Sequence, residues 1–181
     1  MKKTNIKEME KKLEKFDSRG IQTLFRTLSR NHYNLLKMVD NKAGIIITMN
    51  SVIISLLMGV LYIGVNTGKS NIEVSQIRFF IGSCVLSMTI AVISMLPYRY
   101  MGKRFLKSNY KGTLYAQNFS RMTLEEFRSS IYSTMESGLN LYDEMISDLY
   151  FLGRFISYKQ YLVMASFLVF LIGLLGAFVI K

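Results

Sequence analysis

Three long stretches of this chain contain no Asp, Glu, Lys, Arg or His: Ala43 to Val65, Phe79 to Tyr98 and Tyr161 to Ile180. Each approaches the ~20 residues that a helix needs to cross a hydrocarbon core at 1.5 Å per residue. Burial inside a large soluble domain fits poorly, because 181 residues leave too little chain to cover three such helices. Nor is the first stretch a signal peptide, since it begins behind a long charged segment. The expected class is an all-α membrane protein with three transmembrane helices and long cytoplasmic helical extensions. Composition agrees: mean hydropathy is +0.24 despite 23 Lys and Arg, so the apolar residues must be segregated into runs.

The net charge of +11 suits nucleic acid or an anionic membrane surface. The membrane accounts for it without a nucleic-acid partner, because the runs themselves span it. Residues 1–42 hold eleven basic residues and residues 99–160 hold nine, whereas the connector 66–78 holds only Lys69 and Arg78. The positive-inside rule then places the N-terminus and residues 99–160 in the cytoplasm, with the connector and Lys181 outside.

Five segments follow. Residues 1–20 form a charged arm that ends at Ser18-Arg19-Gly20. Residues 21–65 contain no Pro and read as one helix, roughly 68 Å long, running from the cytoplasm into the bilayer. Residues 79–98 form the second span, with Pro97 and Gly102 marking its exit. Residues 99–160 begin with the basic "YRYMGKRFLKSNYK" region and then carry "TLEE" at Thr123 to Glu126, a capping-box pattern. From there Phe127, Ile131, Met135, Leu141, Met145, Leu149, Leu152 and Ile156 recur at three- and four-residue steps, with a larger gap around Gly138. That spacing predicts an amphipathic helix, bent at Gly138, which feeds the third span at 161–180.

One residue inside the first span is out of place. With Asp40 at heptad position a, the a and d positions read Tyr33, Leu36, Asp40, Ala43, Ile47, Asn50, Ile54 and Leu57. Asp40 and Asn50 then share an otherwise apolar seam, which gives them packing or gating roles. Lipid offers Asn50 no hydrogen bond, so its amide needs a Ser or Thr of another helix, or its own symmetry mate. Asp40 and Lys42 can also be read as markers of the water boundary.

Enzymatic chemistry finds little support. The chain has one Cys and one His, which leaves no disulfide framework, no multi-ligand metal site and no Ser-His or Cys-His pairing of any promise. There is no Gly-rich phosphate loop. Neither catalytic residues nor a cofactor are expected.

The stretch "RNHYNLLKMVDNKAGIIITMNSVIISLL", Arg30 to Leu57, resembles the membrane effector family of the pyrimidine-cyclase antiphage systems, the Pycsar transmembrane effectors (PycTM). The shared pattern falls on Asn31, His32, Leu35, Met38, Asp40, Lys42, Ala43 and Asn50. A second block, "NFSRMTLEEF" through "DLYFLGRFISYKQYL", resembles the family's C-terminal region at Asp148, Tyr150, Gly153 and Lys159. The stretch "LYAQNF" departs from the Phe- and Gly-rich form expected before Asn118. The resemblance implies a bacterial inner-membrane effector that responds to a cyclic nucleotide during phage infection and damages the host membrane as a homo-oligomer. The cyclic nucleotide would be a regulatory ligand. Its phosphate makes Arg99, Lys103, Arg104 and Lys107 candidate contacts, with Arg30, His32 and Lys42 as further ones. The Arg99 to Lys107 cluster also suits anchoring to anionic lipid, at about 1 kcal/mol per basic residue. A second reading is a scaffold or accessory subunit that forms no pore and docks a cytoplasmic partner through its amphipathic helix.

Overall fold

The computed structural model describes residues 18–67, 74–96, 122–136 and 138–179. These form four α-helices, with no strand among the described residues: α1 (Ser18–Thr67), α2 (Val74–Met95), α3 (Leu124–Met135) and α4 (Gly138–Val179). Three of them, α1, α2 and α4, are long and apolar enough to cross a membrane. The all-α membrane class expected from the sequence therefore holds.

Local chemistry explains where the helices run and stop. The 50 residues of α1 contain no Pro, and two hydroxyls in its apolar run are absorbed by its own backbone. Thr48 donates to the Gly44 carbonyl at 3.0 Å and Ser51 to that of Ile47 at 2.8 Å, so neither needs water inside the span. Helix α2 ends on a tightened turn in which Leu96 N–H donates to the Ile93 carbonyl at 3.2 Å. Pro97 follows in the sequence, and the residue before a proline is disfavoured in the helical region. At the start of α3 the capping box forms as its pattern predicts. Glu126 N–H donates to Thr123 Oγ1 at 3.3 Å, and Thr123 N–H donates to Glu126 Oε2 at 2.8 Å.

The amphipathic stripe departs from a single bent helix. Helix α3 stops at Met135, Glu136 forms its C-cap, and α4 begins anew at Gly138. Gly is a poor helix-interior residue, and the break leaves carbonyls at the end of α3 without intrahelical donors. Asn140 Nδ2 answers one of them, donating to the Ser133 carbonyl at 3.2 Å. Along the stripe Met135 is exposed, Met145 and Leu149 are half-buried, and Leu152 and Ile156 are buried.

The chain divides into two compact groups. In the first, Met1–Asn34 with Tyr98–Phe155, Phe25 stacks on Tyr142 with ring centroids 5.7 Å apart, and Leu152 is fully buried. Helix α3 contributes no buried residue.

The second group, Leu35–Pro97 with Ile156–Lys181, is a three-helix bundle with heptad spacing on each member. Helix α2 buries Ile77, Phe80, Cys84, Ser87, Ala91 and Ser94, at alternating steps of three and four. Helix α4 does the same with Ile156, Lys159, Val163, Ser166, Phe170 and Gly173. On α1 the buried set is Val39, Ala43 and Asn50. The apolar end of the core is Phe80, Cys84 and Phe170, packed by Ile53, Ile54 and Leu57 of α1 and Leu174 of α4. Going from Asn50 to Leu57 on α1 thus parallels going from Ser166 to Leu174 on α4, while α2 runs the other way. Gly173 and Gly176 permit close approach of α2 and α4: a Cβ on Gly173 would overlap the Ser83 side chain, and one on Gly176 would press Phe79. The outward faces are apolar too, with Ile45, Val52 and Leu56 on α1 and Ile172, Leu175 and Phe178 on α4 exposed.

The structure shifts the expected seam on α1 by one residue at its mouth. Val39, 2% exposed, occupies the core position, and Asp40 sits on its flank. Ala43 and Asn50 lie in the core as the heptad predicts, while Tyr33 is exposed.

Candidate functional site: a polar layer and an ion pair in the membrane bundle

Asn50 is 1% exposed and donates twice, to the Ile46 carbonyl at 2.9 Å and to Ser87 Oγ at 3.1 Å. Ser87 in turn donates to the Ser166 carbonyl at 2.9 Å and lies 3.1 Å from Ser166 Oγ. Ser166 Oγ donates back to the Ser87 carbonyl at 2.7 Å. Asn50, Ser87 and Ser166 therefore link α1, α2 and α4 in one buried layer. Of the two partners open to the Asn50 amide, the one observed is a serine of another helix in the same chain. Its acceptor side is unused: among the described residues, Asn50 Oδ1 is buried with no hydrogen-bond partner.

Asp40 meets a cation that its own surroundings in sequence do not reveal. Lys159 Nζ lies 2.7 Å from Asp40 Oδ1, with the lysine side chain 5% exposed and the aspartate 37%. Lys159 stands one heptad before Ser166 on α4, so the pair closes the same bundle nearer the end of the apolar span. Asp40 thus does more than mark a boundary: it neutralises a buried ammonium. Lys159 belongs to the heptad set of α4, and a lone cation on an apolar stripe, matched by a lone carboxylate on another, is the signal that would have paired them. For Ser87 and Ser166 the signal is weaker, since Ser is common in spans and only the requirement of Asn50 singles them out.

The remaining candidates fall in separate places. His32 is half-buried beside Gly153, where a Cβ would come 3.3 Å from Nε2, so the glycine makes room for the ring. Among the described residues His32 Nδ1 is buried with no hydrogen-bond partner. Arg30 is exposed. Lys42 is also exposed, and it lines a groove between α1 and α4. The basic cluster Arg99, Lys103, Arg104 and Lys107 lies outside the described residues. No group of three or more His, Cys, Asp or Glu side chains that could hold a metal occurs among the described residues.

This arrangement, three apolar helices joined through polar side chains, defines an integral membrane bundle. A family model for the Pycsar effector protein domain matches residues 23–180, and the chain belongs to that family. Membership supports a cyclic-nucleotide-controlled effector of antiphage defence seated in a membrane, and the family is not a known class of enzyme. No curated protein and no solved structure matches the chain.

Proposed function

We propose that the protein is a homo-oligomeric effector of the bacterial inner membrane which, on a cyclic-nucleotide signal, impairs membrane integrity and so aborts infection. The observation that carries this reading is the polar layer of Asn50, Ser87 and Ser166 at the centre of a membrane bundle. A passive anchor has no use for such a layer, because an apolar core packs a span without polar groups to satisfy. Apolar side chains exposed on all three spanning helices support assembly with further copies. In this reading the N-terminus is cytoplasmic. The ligand is met on the cytoplasmic side by basic residues drawn from Arg30, His32, Lys42, Arg99, Lys103, Arg104 and Lys107. Asp40 and Asn50 hold the resting register.

The test is expression of the full chain with and without candidate cyclic nucleotides, following membrane potential and dye entry. Depolarisation that depends on the nucleotide is expected. Intact potential at every nucleotide tested, with the protein inserted at matched levels, refutes the reading. One observation favours the scaffold alternative. Helix α3 has no buried residue and exposes Leu124, Tyr132 and Met135, a surface for a cytoplasmic partner. In that case substitutions on α3 abolish a cellular effect that Asn50 variants leave intact.

A further inference from the structure

The groove between α1 and α4 in the second group has a volume of about 660 Å³ and changes character along its length. At one end it is lined by Lys42, Gln160 and Tyr161, and at the other by Met49, Met164 and Phe167. From Lys42 to Met49 the rise along α1 is about 10 Å, so the groove leads from a cationic, hydrogen-bonding rim into the apolar span. No acidic side chain lines it. Asp40, the nearest carboxylate in sequence, is held by Lys159 instead. We infer that this groove is a binding site for an anionic phospholipid, with the headgroup phosphate on Lys42 and the proximal acyl chain along Met49, Met164 and Phe167.

The polarity gradient argues for this occupant. A free nucleotide would place a sugar and a base against methionines and a phenylalanine at membrane depth, where their polar groups find nothing to bond. A helix of a second copy would have to set an apolar surface against an exposed ammonium. A lipid satisfies both ends, because its phosphate meets the cation while its chain continues the apolar lining. Tyr161 at the rim has the form of an interfacial residue, an apolar ring with a polar tip. The proposal takes Lys42 out of the set of candidate nucleotide contacts and does not otherwise depend on nucleotide sensing.

The chain has no Trp, so a single introduced indole reports one place. Phe167→Trp puts that reporter at the apolar end of the groove. Phe178→Trp, at a position 79% exposed and outside the lining, serves as the control. Each variant of the full chain is reconstituted in vesicles of phosphatidylcholine and phosphatidylglycerol, with bromine on the acyl chains of one lipid at a time. Quenching at Phe167→Trp should favour brominated phosphatidylglycerol by roughly fivefold over its share of the bilayer, the preference one lysine confers at an anionic surface. The control should follow bulk composition. Adding Lys42→Gln should reduce the groove preference to the control value. Quenching that follows bulk composition at both positions overturns the proposal, as does a preference that survives Lys42→Gln. Protection of Phe167→Trp from both brominated lipids overturns it too, and assigns the groove to another copy of the chain.

Discussion

The ion pair between Asp40 and Lys159 makes a directional prediction, because its members are unequally buried. Lys159 has 5% of its side chain exposed and Asp40 has 37%. Asp40→Ala leaves an ammonium in a buried site without its carboxylate, a change that costs about 3–5 kcal/mol when one partner of a buried pair is removed. The lysine's four-carbon stem can carry its head toward water, so the lower end, about 3 kcal/mol, is expected. Lys159→Met instead strands a carboxylate that water already reaches, and the methionine keeps most of the buried stem's packing. Its cost should resemble that of an exposed pair, about 1 kcal/mol. The double variant removes both charges and should be no less stable than Lys159→Met alone, giving a coupling of roughly 3 kcal/mol. Unfolding of the full chain by SDS in mixed micelles, read by near-ultraviolet circular dichroism of its Tyr and Phe, measures all four proteins. Equal losses from the two single variants would refute the reasoning, as would a double variant as weak as Asp40→Ala.

Other expectations rest on different contacts. Gly173→Ala drives a methyl into the Ser83 side chain and should cost about 1–3 kcal/mol in the same titration. Gly44→Ala meets nothing within 4 Å and should be neutral or slightly stabilising, so similar effects from both would count against the close approach of α2 and α4. Asn50→Leu should insert normally, since it raises hydrophobicity, and shift stability by about 1 kcal/mol or less. It should nevertheless weaken nucleotide-dependent depolarisation at matched protein levels, and wild-type depolarisation would remove Asn50 from the mechanism. For topology, reporters fused after Thr67 and after Lys181 should both read external, and a cytoplasmic signal from the first would invert the arrangement.

How far the sequence led depends on how local each feature is. The spans were legible because a run free of charge is a property of consecutive residues, and "TLEE" was legible because a capping box closes within four. The seam on α1 was legible at Ala43 and Asn50 and misplaced at its mouth. One helix read alone offers Asp40 a core position, and only the facing Lys159 shows why Val39 takes it instead. That partner lies 119 positions away, on a stretch read as cytoplasmic amphipathic helix rather than span. The break between α3 and α4 was half legible. Gly138 pointed to a bend, but the bond from Asn140 to the Ser133 carbonyl that completes a true stop joins residues across the gap in the stripe.

The polar layer is better understood by what it forbids than by what it contributes. Interhelical hydrogen bonds in membranes average about 0.6 kcal/mol, so the link from Asn50 to Ser87 and the two-way clasp of Ser87 with Ser166 add only about 2 kcal/mol to the bundle. An apolar layer of the same volume would do comparably well by packing. Sliding one helix by a heptad step is another matter. In one direction it would set Asn50 against the apolar Phe80, Cys84 and Phe170 layer, where its amide finds no partner and burial costs several kcal/mol. In the other it would carry Asn50 toward Ser94, one heptad beyond Ser87 on the buried face of α2. The layer therefore opposes sliding toward the apolar end of the core while contributing little to total stability. A signal that moved the bundle in that direction would have to favour the second arrangement by at least this penalty. Asn50 is committed to the present register through its donors, while its Oδ1 is buried with no hydrogen-bond partner among the described residues.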